Sequence, residues 1–206
     1  MKNNRIEILF LDIGGVLLSN GWGKASRDRA AKQFSFDIDE MEQLHSFHFN
    51  LYEMGKLTLD EYLEIVVFNQ PRNFAKEDLK AFIFSQSIQL PEMVPWIKEW
   101  KKDNREIKII SINNEGKELN DFRIEKFGLI DCFDAFISSC DVGMCKPDRG
   151  IYELALAIAH RPARACIYFD DTLVHVETAR RMGIQAFQHQ NFVETKKILQ
   201  TLNFPG

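Results

Sequence analysis

Residues 6–15 read IEILFLDIGG: a near-continuous apolar run that stops at Asp12 and is followed by the paired glycines Gly14 and Gly15. A short run apolar at almost every position suits a central strand buried on both faces, because a half-exposed strand would alternate apolar and polar residues. Similar runs recur at 107–112 (IKIISI), 135–138 (AFIS), 166–169 (CIYF) and, shorter, at 184–187. Between them lie helical patterns. Ile151, Leu154, Ala155 and Ile158 share one helical face, as do Val176, Ala179 and Met182, with Gly183 placed to end that helix. Strand and helix alternate from about residue 107 onward, which predicts an α/β fold with a parallel sheet and helices on both faces.

The stretch from about 19 to 102 is different. It carries amphipathic segments at 24–34, 39–47, 58–67, 76–84 and 91–102, separated by turn signals at Met54–Gly55 and Pro71–Arg72, and no buried-strand run. The expectation is an all-helical domain over 19–102, inserted after the first strand, with the core formed by 1–18 and 103–206.

The 206 residues are enough for one sizeable core and a smaller attached domain. With 26 basic and 30 acidic side chains the net charge is −4, and no block of like charge stands out, which argues against nucleic acid or an anionic membrane as partner. The four cysteines, Cys132, Cys140, Cys145 and Cys166, show no CxxC spacing and read as reduced thiols. The N-terminal apolar run is too short to span a bilayer and has no cleavable-signal pattern, so a cytoplasmic location is expected.

In a parallel sheet, ligands bind beyond the carboxyl ends of the strands. After the first strand come Asp12, Gly14 and Gly15, and after the second Asn113 and Asn114. Lys146-Pro147-Asp148 lies beyond the third, and Asp170 and Asp171 follow the fourth. Carboxylates and carbonyl oxygens suit Mg²⁺. A cation near Asp12 and Asp171 would offset their repulsion and bind a phosphate oxygen, Lys146 would add positive charge, and backbone N–H groups around Gly14–Gly15 and Asn113–Asn114 would hold the remaining oxygens. Each element alone has a plainer reading: an Asp after a strand often caps a helix, and Lys-Pro-Asp is often only a turn. Their joint placement after successive strands carries the inference. His45 and His48, three apart on a helical segment, have a metal-compatible spacing but no evident Cys or acidic ligand nearby. Ser19-Asn20-Gly21-Trp22 reads as a hinge between core and insertion.

Over nearly its whole length the sequence resembles the haloacid-dehalogenase-like (HAD) superfamily, in the branch with a helical cap inserted after the first motif. FLDIGGVLL resembles that motif, GMCKPDRGIYELAL the third and CIYFDDTLVHVETARRMGI the fourth, while LYEMGKLTLDEYL looks like the cap helix pair. The resemblance implies a Rossmann-like core, Asp12 as nucleophile, Lys146 as the motif-three lysine, and Mg²⁺ held by Asp12, the Gly14 carbonyl and Asp171, with Asp170 near or in the shell. Lys146 and Asn113 would hold phosphoryl oxygens of a small phosphorylated metabolite.

Three positions depart from the family pattern. Gly14 stands where a second Asp usually serves as acid and base, Asn113 replaces a Ser or Thr, and His175 replaces an Asn or Asp. Two readings follow: an Mg²⁺-dependent phosphatase forming an aspartyl-phosphate, or a binding or regulatory protein with little turnover. A haloacid dehalogenase ranks behind both, because the acidic pair suits a metal that such enzymes do not need.

Overall fold

The computed structural model describes residues 5–202 and 204. Its elements run β1 (Ile8–Leu11), α1 (Lys24–Phe34), α2 (Ile38–Glu53), α3 (Leu59–Val66), α4 (Lys76–Ser85), α5 (Met93–Asp103), β2 (Lys108–Asn113), α6 (Lys117–Lys126), β3 (Ala135–Ser138), α7 (Ser139–Val142), α8 (Arg149–Ala159), β4 (Cys166–Asp170), α9 (Leu173–Arg181), β5 (Gln185–Gln188) and α10 (Phe192–Thr201). The five strands form one parallel sheet in the order β3-β2-β1-β4-β5. Each apolar run became a strand, and β1 is its centre, flanked by β2 and β4.

Alternation along the strands builds two apolar layers. Leu9, Leu11, Ile109, Ile167 and Phe169 point to one face and pack with Met93, Val94 and Ile97 of α5 and Leu199 of α10. Ile8, Phe10, Ile110, Ile112 and Tyr168 point to the other and pack with Ile151, Tyr152 and Ala155 of α8 and Val176 and Ala179 of α9. Covering both faces is what a fully apolar β1 requires. Gly183 follows α9 with φ +85°, the left-handed conformation that ends a helix at low cost in glycine. No helix among the described residues is long and apolar enough to cross a membrane. All four cysteines are unpaired.

Helices α1–α4 share a separate cluster built on Ala30, Met41, Tyr52, Tyr62, Leu63, Leu79 and Ile83, with Leu119 of α6 packed into it. Asp37 caps α2 by accepting from Asp39 N and Glu40 N, and Thr58 with Glu61 forms a capping box on α3. The chain enters and leaves this unit along paired connections. Ser19 N donates to Ile88 O at 2.8 Å, Leu90 N to Leu17 O at 2.9 Å, and Ser19 Oγ bridges Gln86 O and Ile88 N. Helix α5 comes after this pairing and buries its apolar side on the sheet. The expected boundary at 102 therefore misassigns α5. We put the boundary near residue 88, because amphipathicity alone does not say which apolar layer a helix joins.

The end of α2 is docked tightly on the core. A Cβ at Gly116 would lie 1.9 Å from the Tyr52 ring, and one at Gly55 (φ +67°) would lie 2.3 Å from the Cys140 carbonyl oxygen. Ser139 Oγ donates to Glu53 O at 2.6 Å. Gly116→Ala is expected to push Tyr52 off this seat and lower the unfolding free energy by about 1–3 kcal/mol, the usual range for overpacking. Urea denaturation of the two proteins measures it, and an unchanged midpoint would mean that Tyr52 moves aside freely.

Candidate active site

Asp12 follows the central strand, and its N–H donates to Phe169 O at 2.9 Å, which fixes it beside the end of β4. Lys146 Nζ reaches Asp12 Oδ1 at 2.9 Å and Asp170 Oδ2 at 2.7 Å. All three side chains are buried. Ile13 N also donates to Asp12 Oδ1, at 2.7 Å, whereas Asp12 Oδ2 accepts no hydrogen bond among the described residues. Burial pushes the Asp12 carboxyl up to about 7, against the pull of Lys146 and with help from Asp170.

Asp170 is held on every side. Its Oδ1 accepts from Thr172 N at 2.8 Å, Tyr168 OH donates to Oδ2, and His175 Nδ1 lies 3.1 Å from both oxygens. Burial opposes its ionisation, but Lys146 and His175 outweigh that and hold its carboxyl well below the usual range. His175, which departs from the family pattern, is thus turned toward Asp170. Its donors include Lys146, so Asp170 fixes that ammonium in place while still offering an oxygen to the acidic cluster it forms with Asp12 and Asp171.

Asp171 sits nearer solvent, with Oδ2 accepting from Asn20 Nδ2 at 3.2 Å and Oδ1 from Thr172 Oγ1 at 3.1 Å. Gly15 makes room for it: a Cβ there would lie 2.1 Å from Asp171 Oδ2, at φ +69°. The Gly15 N–H is spent on Leu18 O at 2.7 Å, so it is not the free anion donor expected from the sequence. Gly14 is the open one. Neither its N–H nor its carbonyl is hydrogen-bonded among the described residues, and the Asn20 side chain occupies the space beside it, 2.8 Å from where a Cβ would be.

Asn113 and Asn114 differ from expectation in a similar way. Asn113 is turned into the protein, donating to Asn120 Oδ1 at 3.2 Å and accepting from Ser138 Oγ at 3.1 Å, so its amide is not placed to hold a ligand. Alternation along β2 decides this, since successive side chains leave on opposite sides. Asn114 clamps the lysine loop instead, donating to Lys146 O at 2.9 Å and accepting from Lys146 N at 2.8 Å. His45 and His48 hydrogen-bond separately, to Tyr62 OH at 2.7 Å and Leu44 O at 2.8 Å, and form no metal site.

A cavity of about 440 Å³ lies over Asp12, Gly14, Lys146 and Asp171 and is roofed by Trp22, Arg27, Phe49 and Glu53 of the helical unit. The cations that line it are already matched: Lys146 by Asp12 and Asp170, Arg27 by Glu42 at 2.6 Å, and Arg123 by Glu115. Lys146 faces two carboxylates, and Asp171 has no ion pair among the described residues, which leaves the cavity with surplus negative charge. Asp12, Asp170 and Asp171 each offer an oxygen within 4.8 Å of the others, the one such group among the described residues. A hard divalent cation fits this donor set and charge. Arg27, Glu115 and Arg123 escaped the sequence reading. Glu115 lies two residues beyond β2 and had the positional signal, whereas the two arginines had none.

A family model for haloacid dehalogenase-like hydrolases matches residues 6–183. The chain belongs to that family. Among solved structures, a HAD family enzyme from Bacteroides thetaiotaomicron in complex with magnesium and inorganic phosphate superposes with TM-score 0.76 at 18% identity, over 90% of this chain and 94% of that one. An L-2-haloacid dehalogenase superposes with TM-score 0.65 at 15% identity, over 90% and 87%. At these identities the likeness shows the fold. A drimenol cyclase from Aspergillus calidoustus is 26% identical over 184 residues, 88% of this HAD-like chain, which spans only about a third (33%) of that relative's length.

Proposed function

We propose that this HAD-like hydrolase is an Mg²⁺-dependent phosphatase acting on a small phosphorylated metabolite. The observation that carries the reading is Asp12 itself: a buried carboxylate with Oδ1 held by Lys146 and Ile13, and Oδ2 left free in a cavity of surplus negative charge. A free carboxylate oxygen fixed in orientation is what in-line attack on phosphorus needs. Asp12 Oδ2 bonds to phosphorus, the ester oxygen leaves, and water then cleaves the aspartyl-phosphate.

Mg²⁺ would be held by Asp12, Asp171 and the Gly14 carbonyl, and when bound it offsets charge on the phosphoryl oxygens. Lys146 contributes a fixed positive charge to the same oxygens, and Gly14, whose N–H is free among the described residues, lines the same cavity. The relative crystallised with magnesium and inorganic phosphate supports both the cation and the anion. Helices α1–α4 serve as the cap, closing over the leaving group.

The test is turnover of p-nitrophenyl phosphate with Mg²⁺ and with EDTA, beside halide release from L-2-chloropropionate. Phosphate release that needs Mg²⁺ is the expected result. Halide release that ignores EDTA would make the chain a dehalogenase, and neither activity would favour a binding protein. Asp171→Ala is expected to weaken Mg²⁺ by roughly tenfold or more, read as a smaller Mg²⁺-induced rise in the thermal midpoint. An identical Mg²⁺ response in variant and parent would remove Asp171 from the metal site.

A further inference from the structure

The proposed reaction lacks a proton donor where one is expected. Gly14 carries no side chain, and His175 is turned to Asp170 with Nδ1 at 3.1 Å from both carboxyl oxygens. The cap supplies another candidate. Glu53 is the last residue of α2 and lines the cavity with Asp12, Gly14, Lys146 and Asp171. No hydrogen bond or ion pair engages its carboxyl group among the described residues, so its acidic end is uncommitted. Its backbone, by contrast, is fixed to the core. Ser139 Oγ grips its carbonyl, Tyr52 on one side is seated on Gly116, and Gly55 beyond it rests on Cys140. A free acid on an anchored backbone is the arrangement that proton transfer to a bound group favours.

Accepting the phosphatase reading, we propose that Glu53 is the general acid and base of the reaction, supplying from the cap the proton that position 14 cannot. As Asp12 Oδ2 bonds to phosphorus and the phosphorus–oxygen ester bond breaks, the Glu53 carboxylic acid gives its proton to the departing oxygen, which leaves as an alcohol. The Glu53 carboxylate then takes a proton from the water that attacks the aspartyl-phosphate. Orthophosphate and the Asp12 carboxylate are released, and Glu53 is again protonated.

The surroundings suit this role. Around Glu53 stand Glu115 after β2, Asp12 after β1, Lys146 and Cys145 on the loop beyond β3, and Tyr62 on α3. Burial first, then Glu115 and Asp12, push the Glu53 carboxyl up to about 8 against the pull of Lys146, which keeps it protonated near neutral pH. Without such a donor, turnover would depend steeply on the leaving group. With Glu53 in place, that dependence becomes shallow.

The experiment compares ethyl phosphate, whose alkoxide needs a proton to leave, with p-nitrophenyl phosphate, whose phenolate does not. The parent protein is expected to cleave both. Glu53→Gln should slow ethyl phosphate about 10²–10⁴-fold while the first-turnover burst of p-nitrophenolate stays within a few-fold of the parent. Hydrolysis of the aspartyl-phosphate also slows in the variant, which is why the burst is read and not the steady state. Equal losses on both substrates, or no loss on ethyl phosphate, overturn the role of Glu53. So does a parent protein that cleaves only the aryl ester, with the phosphatase reading left standing. A parent protein that cleaves neither overturns both. If Glu53→Gln does not fold, Glu53→Asp decides: the shortened acid should slow ethyl phosphate by about tenfold or more while the p-nitrophenolate burst stays within a few-fold of the parent, and equal losses on both overturn the assignment.

Discussion

Asp12→Asn is expected to remove turnover of p-nitrophenyl phosphate, by roughly 10⁴-fold or more, and at the same time to make the metal-free protein more stable. The first effect follows from chemistry: an amide oxygen cannot form the acyl-phosphate. The second follows from burial. The carboxyl of Asp12 sits at about 7 in the fold against an ordinary 3.8. A group raised in this way contributes stability that is fully present below its ordinary value and is lost as pH rises through 7. At pH 8 in EDTA the parent protein therefore carries the cost of an ionised, buried Asp12, and the neutral asparagine does not. A gain of about 1 kcal/mol, equal to about 2–4 °C in a chain of this size, is expected at pH 8 and should shrink toward pH 4. Thermal melts in EDTA at the two pH values measure it. A variant less stable than the parent at pH 8 would show that Lys146 compensates Asp12 fully, and retained turnover would rule out Asp12 as nucleophile.

Lys146→Met is expected to act in the opposite direction on stability. It removes the ammonium that lies between Asp12 and Asp170 at 2.9 and 2.7 Å, all of it buried. Breaking a buried ion pair by removing one partner typically costs about 3–5 kcal/mol, so the midpoint at pH 7 should fall by about 10 °C. The pH dependence identifies the cause. Asp170 is depressed by Lys146 and His175, so its contribution is present above its ordinary value and lost as pH falls. The gap between parent and variant should therefore be widest near neutrality and narrow below about pH 4. Turnover should fall by about 10²–10³-fold, the loss usual for removing one fixed charge or donor from a transition state. Equal melting of the two proteins at pH 7 would mean that Lys146 is not the counter-ion of the site.

The sheet and the convergence of Asp12, Lys146, Asp170 and Asp171 were legible in the sequence for one physical reason. Parallel strands present their carboxyl ends together, so residues that follow successive apolar runs meet. What the runs do not encode is side-chain commitment. Asn113 and Gly15 stand at the expected places, yet their polar groups are used by Asn120, Ser138 and Leu18. Asn114 was found for its backbone and matters through its amide, which latches the lysine loop. Helix α5 has the same amphipathic pattern as the four helices before it, and only its packing partners separate it from them. Glu53 lies in the stretch LYEMGKLTLDEYL that resembles the cap helix pair, which marks it as a cap acid to consider but not as one held at the site. Its place depends on contacts made 63 and 86 positions away along the chain, at Gly116 and Ser139, which no local pattern records.

The pairing of Leu17–Ser19 with Ile88–Leu90 brings the two ends of the insertion side by side. To the sheet, everything between them is a closed excursion, and its length and content do not alter the distance the chain must bridge. Such a unit can be exchanged like a cartridge without re-registering a strand. In this chain the cartridge holds Trp22, Arg27, Phe49 and Glu53, the roof of the cavity. Exchanging it would replace the roof of the cavity together with the acid proposed to protonate the leaving group, so under the proposed function substrate range and leaving-group reach would be inherited as one piece.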